Sequence, residues 1–250
     1  MKKLPVLLSL LFFYEANSQY YYKDLVSAAD LNRQMKTYVS NNIHKVTAKG
    51  ITAEGGASSG FSEEYEISSN NNQLTITTRI NQTVSSLRHS FNDRGLVTST
   101  VDSAAGVKST STYTYDANGK ITSISNSATD ADARGDFSQT EVHQYIYKDG
   151  KLEKMWRIIN KTDSLELRFV VDENGNVIEE RNYRRGVFTD PIYYYYDDKD
   201  RVVQKITTTS GQNIGYLIWR YLFDERGLKA KEALFNKEKQ LQGRIDYSYN

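Results

Sequence analysis

The sequence predicts an all-β chain, built as an antiparallel meander of repeated β-hairpins and preceded by a short N-terminal helix. Two observations predict this class. First, a unit recurs from about residue 65 to residue 249. It consists of two aromatic residues separated by one residue, an Asp or Asn turn, a glycine and an aliphatic residue. Second, 19 of the 250 residues are tyrosine, and aromatic residues at positions i and i+2 lie on the same face of a strand.

The first residues resemble an export signal. Lys2 and Lys3 form a charged start, residues 4–13 are mostly apolar, and residues 16–18 form a small-x-small cleavage site before Gln19. The apolar stretch is shorter than the roughly 20 residues that span a bilayer. We therefore expect a signal peptide at 1–18 and an exported mature chain without a transmembrane segment, in the periplasm or at the cell surface. The alternative is a buried N-terminal helix or strand.

Two further segments precede the repeats. Apolar residues between Tyr22 and Val39 recur with a partial helical period, which predicts a helix that could cover the first edge of the sheet. Residues 50–62 are rich in glycine and serine, which predicts a flexible segment. The domains expected are thus the signal peptide at 1–18, the helix and flexible segment at 19–62, and the repeats at 63–250.

The repeats have an approximate period. The second aromatic position or its equivalent falls at residues 91, 115, 147, 171, 196, 223 and 249. The spacings between these positions are 24, 32, 24, 25, 27 and 26 residues, and a weaker copy stands around Tyr65.

Each repeat predicts a pair of strands. Asp-x-x-Gly or Asp-Gly reverses the chain, because glycine adopts positive φ and Asp bonds the backbone of its own turn. A second reversal is expected in mid-repeat, with candidates at 160–163, 184–186, 210–213 and 236–239. Successive units then add strands to one sheet, although the pattern does not decide whether the ends of that sheet meet. The long unit contains a Ser/Thr-rich insertion at 123–140, which we expect to loop off the sheet.

The pattern Tyr113-x-Tyr115-Asp116-x-x-Gly119-x-Ile121, echoed by Tyr194-x-Tyr196-Asp197, resembles the YD repeats of the RHS family. The resemblance covers about residues 88–250. It implies a β-sheet shell of the kind found in secreted and surface proteins of bacteria. A weaker similarity links residues 147–152 to MORN-like antitoxin repeats, which also form arrays of antiparallel hairpins. Neither family fixes an activity by its repeats.

One constellation suggests a metal. Asp130, Asp132, Gly135 and Glu141 nearly reproduce a calcium loop, in which carboxylates supply the oxygen ligands and glycine permits the sharp turn. Arg134 occupies a position where an oxygen ligand belongs, so a solvated charged loop is the competing interpretation. No other cofactor is expected.

Several function classes are disfavoured. The formal net charge is +1, which argues against bulk nucleic-acid binding. The chain has no Cys, and its three histidines lack zinc-site spacing. No nucleophile elbow or phosphate loop occurs. Paired acidic residues recur only in equivalent turns, where solvated turn residues explain them better than a glycosidase pair.

The sequence therefore favours a non-enzymatic exported scaffold that presents a sheet face or loops to an envelope protein. The alternative is a carbohydrate-binding module that uses a tyrosine-rich face. For either partner we single out Tyr194, Tyr196 and Trp219 as candidate binding residues. A hydrolase with a carboxylate pair on a concave surface is the third class.

Overall fold

A computed structural model describes residues 21–51, 56–104, 107–130, 138–184, 186–188, 191–196, 202–206, 218–235 and 238–249. Only the backbone is described for 57–59, 104, 130, 184, 195, 202–206 and 218–219. The predicted signal peptide and the candidate turn at 210–213 lie outside the described residues.

The described chain forms one helix and 17 strands. The helix, α1, spans Tyr22–Ser40, which confirms the predicted helix to within one residue at its end. The strands are β1 (Lys45–Ile51), β2 (Ala57–Ile67), β3 (Gln73–Ile80), β4 (Thr83–Phe91), β5 (Val97–Ala104), β6 (Val107–Tyr115), β7 (Ile121–Asp130), β8 (Ser138–Lys148), β9 (Lys151–Ile159), β10 (Asp163–Val171), β11 (Val177–Arg184), β12 (Val187–Phe188), β13 (Ile192–Tyr196), β14 (Val202–Ile206), β15 (Ile218–Phe223), β16 (Lys229–Phe235) and β17 (Leu241–Tyr249).

All strands belong to one antiparallel meander. Each strand from β2 to β11 pairs with the next, and the order continues through β13 to β17. The two-residue strand β12 is an additional partner of β11. Strand β1 pairs with β2 on one side and with β17 on the other, so the pairings form a continuous circuit. The predicted all-β meander with a short N-terminal helix is confirmed.

The Asp-x-x-Gly turns repeat the same geometry. In each, the side chain of the first residue accepts a hydrogen bond from the backbone N–H four residues on, at 2.8–3.1 Å. The glycine adopts positive φ, between 71° and 90°. The residues that open these turns are Asn92, Asp116, Asp172 and Asp224. The turn between β8 and β9 is the shorter Asp149-Gly150, with positive φ at both residues as a tight hairpin turn requires.

In six hairpins the pairing register shifts next to the second aromatic position of the repeat or its equivalent, just before the turn. An extra residue on one strand increases the local twist and bends the strand. Six equivalent irregularities therefore twist and bend the strands at the same level of the sheet. We call the face that carries the buried Tyr145, Phe169 and Tyr194 the inner face and the opposite one the outer face.

The second tyrosine of the repeat ties neighbouring hairpins together. Its hydroxyl donates a hydrogen bond to the carbonyl of the residue that opens the return strand of an earlier hairpin, at 2.5–3.0 Å. The pairs are Tyr115 with Val97, Tyr147 with Ile121, Tyr196 with Val177, and Tyr249 with Lys229. The repeated Tyr is therefore a structural link, and copies with Phe or Val at this position lack it.

We expect Tyr147→Phe to lower the free energy of unfolding by about 1 kcal/mol, because it removes one partly buried hydrogen bond and keeps the ring. Urea denaturation measures this change. Tyr193→Phe is the matched control, since Tyr193 is exposed and lies on the outer face. An equal effect of the two substitutions would contradict the role of the Tyr147 hydroxyl.

Helix α1 packs against the inner face rather than covering a sheet edge, which corrects the expectation from the sequence. Its Asn32 side chain accepts a hydrogen bond from the N–H of Val97 in β5, and its Tyr22 ring contacts Tyr194 in β13. These two strands lie nearly opposite each other in the circuit of pairings. Because β1 bonds strands on both sides, its edges need no helix.

The hydrophobic core lies between α1 and the inner face. Ala28, Met35 and Tyr38 are the buried residues of the helix. They face buried strand residues such as Val46, Leu74, Val97, Met155, Leu167 and Val177. One core thus joins the helix to the sheet.

Two segments that the sequence predicts to lie outside the sheet contribute residues to strands. The insertion at 123–140 was expected to loop off the sheet, but residues 123–130 continue β7 and 138–140 begin β8, while 131–137 lie outside the described residues. The described Ser and Thr residues of the insertion pair in regular register. Likewise, residues 50–62, expected to be flexible, include the end of β1 and the start of β2.

Among the described residues α1 is the single helix, and it is not apolar enough to cross a membrane.

Candidate functional site

The N-terminus of α1 docks on a buried carboxylate. Glu180 in β11 is only 1% exposed. Its Oε1 accepts the N–H of Tyr21 at 2.7 Å, and its Oε2 accepts the N–H of Tyr22 at 2.9 Å and the hydroxyl of Tyr194 at 2.9 Å. The first N–H groups of a helix have no partner within the helix, and a negative charge suits that end. Glu180 therefore caps α1, although it lies about 160 residues further along the chain.

A second polar chain holds the first turn of α1 to β8. His143 bonds Asp24 through Nδ1 at 2.7 Å and Glu141 through Nε2 at 2.6 Å. Glu141 accepts a further bond from Arg157 at 2.6 Å, so both of its oxygens are used. The Tyr21 ring packs edge-on against His143, with 5.2 Å between centroids. This network and Glu180 fix the position of the helix start.

The pKa values of these groups follow from their surroundings. Burial opposes the charged form of His143, but its hydrogen bonds to Asp24 and Glu141 raise its pKa to about 9. Burial likewise opposes ionisation of Glu141, yet bonds from His143 and Arg157 lower its pKa to about 2. Burial raises the pKa of Glu180 to about 7, against the three hydrogen bonds that it accepts. His143 and Glu141 are therefore an ion pair at neutral pH.

The candidate binding tyrosines lie on the inner face. Tyr194 is buried, at 4% exposed, and contacts Glu180 and the Tyr22 ring. Tyr196 donates its hydroxyl proton to the carbonyl of Val177 at 2.7 Å, and its oxygen lies 3.0 Å from the Tyr22 hydroxyl. Both residues thus hold the helix, and Tyr194 offers no exposed surface to a partner, which corrects its proposed role. Trp219 lies in β15, but its side chain is outside the described residues.

The candidate calcium loop remains a prediction. Asp132 and the side chain of Asp130 lie outside the described residues. Glu141 is in β8, bonded to His143 and Arg157 as above. Among the described residues, no group of three or more His, Asp or Glu side chains could hold a metal ion.

An exposed aromatic cluster, which sequence reasoning missed, lies on the outer face at β10 to β13. We call it the outer patch; its members are Arg168, Arg181, Tyr183, Phe188 and Tyr193. Phe188 and Tyr193 are exposed by 42% and 38%. The patch lies on β10, on β11 and on the two strands, β12 and β13, that pair with β11.

The patch is ordered by its own contacts. The Tyr183 and Phe188 rings lie 5.0 Å apart, across the pairing of β11 with β12. The guanidinium of Arg168 lies 4.8 Å from the Tyr183 ring centroid and 5.6 Å from that of Phe188. Arg168 also pairs with Glu166, and Arg181 pairs with Glu179. The result is a nearly neutral surface with exposed rings and arginine faces.

Strand alternation is the signal that could have found this patch. Tyr193 and Tyr194 are neighbours, so one must face outward when the other faces inward. The aromatic run at 193–196 does not reveal which phase is correct. The pairing of Glu180 with Ile192 and of Glu179 with Tyr193 places Tyr193 outside.

A comparison with protein-family models gives no match, and neither does a comparison with curated proteins. Among solved structures, the chain is similar to a porin-like protein from Bacteroides uniformis ATCC 8492, with 10% identity and a TM-score of 0.47, over 83% of this chain and 98% of that one. It is also similar to part of the Photorhabdus luminescens Tc holotoxin pore, with 14% identity and a TM-score of 0.28, over 74% of this chain and 12% of that one. At these identities and scores, neither protein assigns a family to this chain.

Proposed function

We propose that the chain is a non-enzymatic β scaffold, exported by a bacterium, that binds a protein partner of the cell envelope through the outer patch. The observation that carries this proposal is the exposed cluster of Tyr183, Phe188 and Tyr193 with two arginines. Aromatic and arginine side chains dominate the binding energy of protein interfaces.

The composition of the patch defines the partner's chemistry. Because the carboxylates of Glu166 and Glu179 neutralise Arg168 and Arg181, the patch has no strong field of one sign. A partner surface with apolar or aromatic side chains at its centre matches the rings and the stacked guanidinium faces. Rings held by cation–π contacts lose little freedom on binding, which favours affinity.

Two sequence features support the exported location and the scaffold role. Residues 1–18 have the pattern of a signal peptide. The resemblance to YD repeats, a prediction from the sequence, fits a surface or secreted scaffold. The ionisable groups of the buried cluster bond to each other and to α1, which is the arrangement of a structural network.

Carbohydrate binding is the second candidate. The same exposed rings could stack on the apolar face of a sugar, whereas Tyr194, the residue first considered for this role, is buried. Protein binding and carbohydrate binding would both use the outer patch, so substitutions in the patch test both functions. The identity of the bound molecule, protein or saccharide, distinguishes them.

The experiment is site-specific photo-crosslinking in the native bacterium with the full chain. We expect a photoreactive residue at position 193 to yield one protein adduct, and the same residue at position 84 to yield none. Val84 is the control, because it is an exposed strand residue (49%) on the outer face of β4, away from the patch.

The double substitution Tyr183→Ala and Phe188→Ala is expected to remove the adduct and to weaken binding to the purified partner by about 30-fold, as loss of an interface hot spot does. The melting temperature should stay close to that of the native protein. Absence of an adduct at 193, or an adduct that survives both substitutions, would contradict the protein-binding proposal. Saccharide binding that is lost in the double variant would establish the second candidate instead.

A further inference from the structure

A cavity of about 470 Å³ lies between α1 and three of the hairpin turns that follow the second aromatic position of a repeat. The turns join β6 to β7, β8 to β9 and β10 to β11, and residues 22–33 of α1 form the opposite wall. A volume of this size falls within the range of pockets that hold small molecules, about 300–1,000 Å³. The cavity lies on the inner face, away from the outer patch.

The deep part of the cavity is apolar. Ile121, Leu152 and Val177 are buried strand residues at its floor, and Leu25 and Val26 of α1 face them across the space. Four tyrosine rings complete the lining. Three of their hydroxyls are already bonded to backbone carbonyls, and the fourth, that of Tyr22, is bonded to Tyr196. These rings therefore offer apolar surface to the cavity.

The polar groups of the cavity lie at the turns and on α1, where Arg33 pairs with Asp30 and Asn32 accepts the N–H of Val97. Asp149, Lys151 and Asn174 are exposed residues of the lining. Lys151 donates to the carbonyls of Asp172 and Glu173 at 3.0–3.1 Å, and Lys120 donates to the carbonyl of Gly150. Both lysines thus bridge successive turns. The rim carries charges of both signs and no single-sign field.

We propose that this cavity binds a single-chain amphiphile with an uncharged, hydroxyl-rich head. The alkyl part would lie against the aliphatic and tyrosine floor, and the head would bond the amide, carboxylate and carbonyl groups at the turns. A wholly polar ligand would bury hydroxyls against the apolar floor without partners, which is unfavourable. An anionic head would meet Asp149, whereas a neutral head can donate to that carboxylate.

Helix residue Ala29 provides the test, because it lines the cavity and is exposed to it. The probe is n-octyl β-glucoside below its micelle concentration, and glucose is the head alone. We expect saturable one-to-one binding of the octyl glucoside by calorimetry and none of glucose at the same concentration. Ala29→Phe fills the cavity and should weaken binding at least 10-fold. Ser27→Phe, at an exposed position of the same helix outside the cavity lining, should leave binding unchanged.

A photoreactive alkyl glucoside keeps the test decisive if Ala29→Phe fails to fold. In the native protein we expect its adducts on residues 22–33, 115–121, 147–152 and 174–177. Adducts on the outer face, absence of saturable binding, or equal binding of glucose would each overturn the proposal. These results are independent of the outer patch, so the protein-binding proposal stands or falls separately.

Discussion

Glu180→Ala is expected to lower the free energy of unfolding by about 3 kcal/mol. The substitution removes the acceptor of the Tyr21 and Tyr22 N–H groups and one bond of the Tyr194 hydroxyl. Each buried donor left without its acceptor costs about 1–3 kcal/mol. The shorter side chain also leaves a void beside the helix start, which adds to the loss.

The matched control is Glu179→Ala, one position earlier on β11. Glu179 lies on the outer face and pairs with the exposed Arg181, and such surface pairs contribute about 0–1 kcal/mol. Urea denaturation at pH 7 compares the two variants. Hydrogen exchange adds a local readout, because only Glu180→Ala should speed exchange of the first α1 amides. Equal losses in the two variants would show that Glu180 does not dock the helix.

Local chemistry made the hairpins predictable. Asp116 followed by Gly119 specifies a turn whatever surrounds it, because the Asp side chain and the positive φ of glycine act within five residues. The same reasoning placed the reversal at residues 160–163, where Asn160 and Lys161 adopt positive φ. The helical period of residues 22–39 was also visible, since α1 keeps one face in the core.

The site was not predictable in the same way, because it depends on contacts distant in sequence. Glu180 meets Tyr21 at a separation of 159 residues, and His143 meets Asp24 at 119. Nothing near Glu180 distinguishes it from Glu179, and only the phase of strand alternation turns one inward. The same ambiguity at Tyr193 and Tyr194 led to the choice of a buried residue as a binding residue. The bond of Glu141 to Arg157 was equally invisible, because Arg157 lies on another strand.

The free energy of unfolding is expected to fall by about 3 kcal/mol between pH 6.5 and pH 9 because of His143. Its bonds to Asp24 and Glu141 outweigh burial and raise its pKa from 6.5 to about 9. A group whose pKa is raised on folding stabilises the folded state. This stabilisation is complete at pH values below the pKa of the unfolded state, and it is lost as the pH rises through the pKa of the folded state. A rise from 6.5 to about 9 corresponds to about 3 kcal/mol.

The other shifted groups of the cluster titrate outside most of this window. Burial raises the pKa of Glu180 from 4.5 to about 7, so its contribution is lost between those values. Hydrogen bonds lower the pKa of Glu141 to about 2 despite its burial, and its contribution is lost only below pH 4.5. The Tyr21 ring beside His143 has a pKa of about 12, raised by burial. Between pH 7 and pH 9 the slope therefore reports His143.

Histidine variants measured by urea denaturation across this range test the assignment. His143→Gln should be less stable than the native protein at pH 6.5 and should show a flat profile from pH 7 to pH 9. His89→Gln is the control, because burial lowers the pKa of His89 to about 4 and its titration affects stability only on the acid side of pH 6.5. His89→Gln must therefore keep the alkaline fall. A fall that persists in His143→Gln would place the titrating group elsewhere, and the ion pair between β8 and the start of α1 would not be what holds the helix at neutral pH.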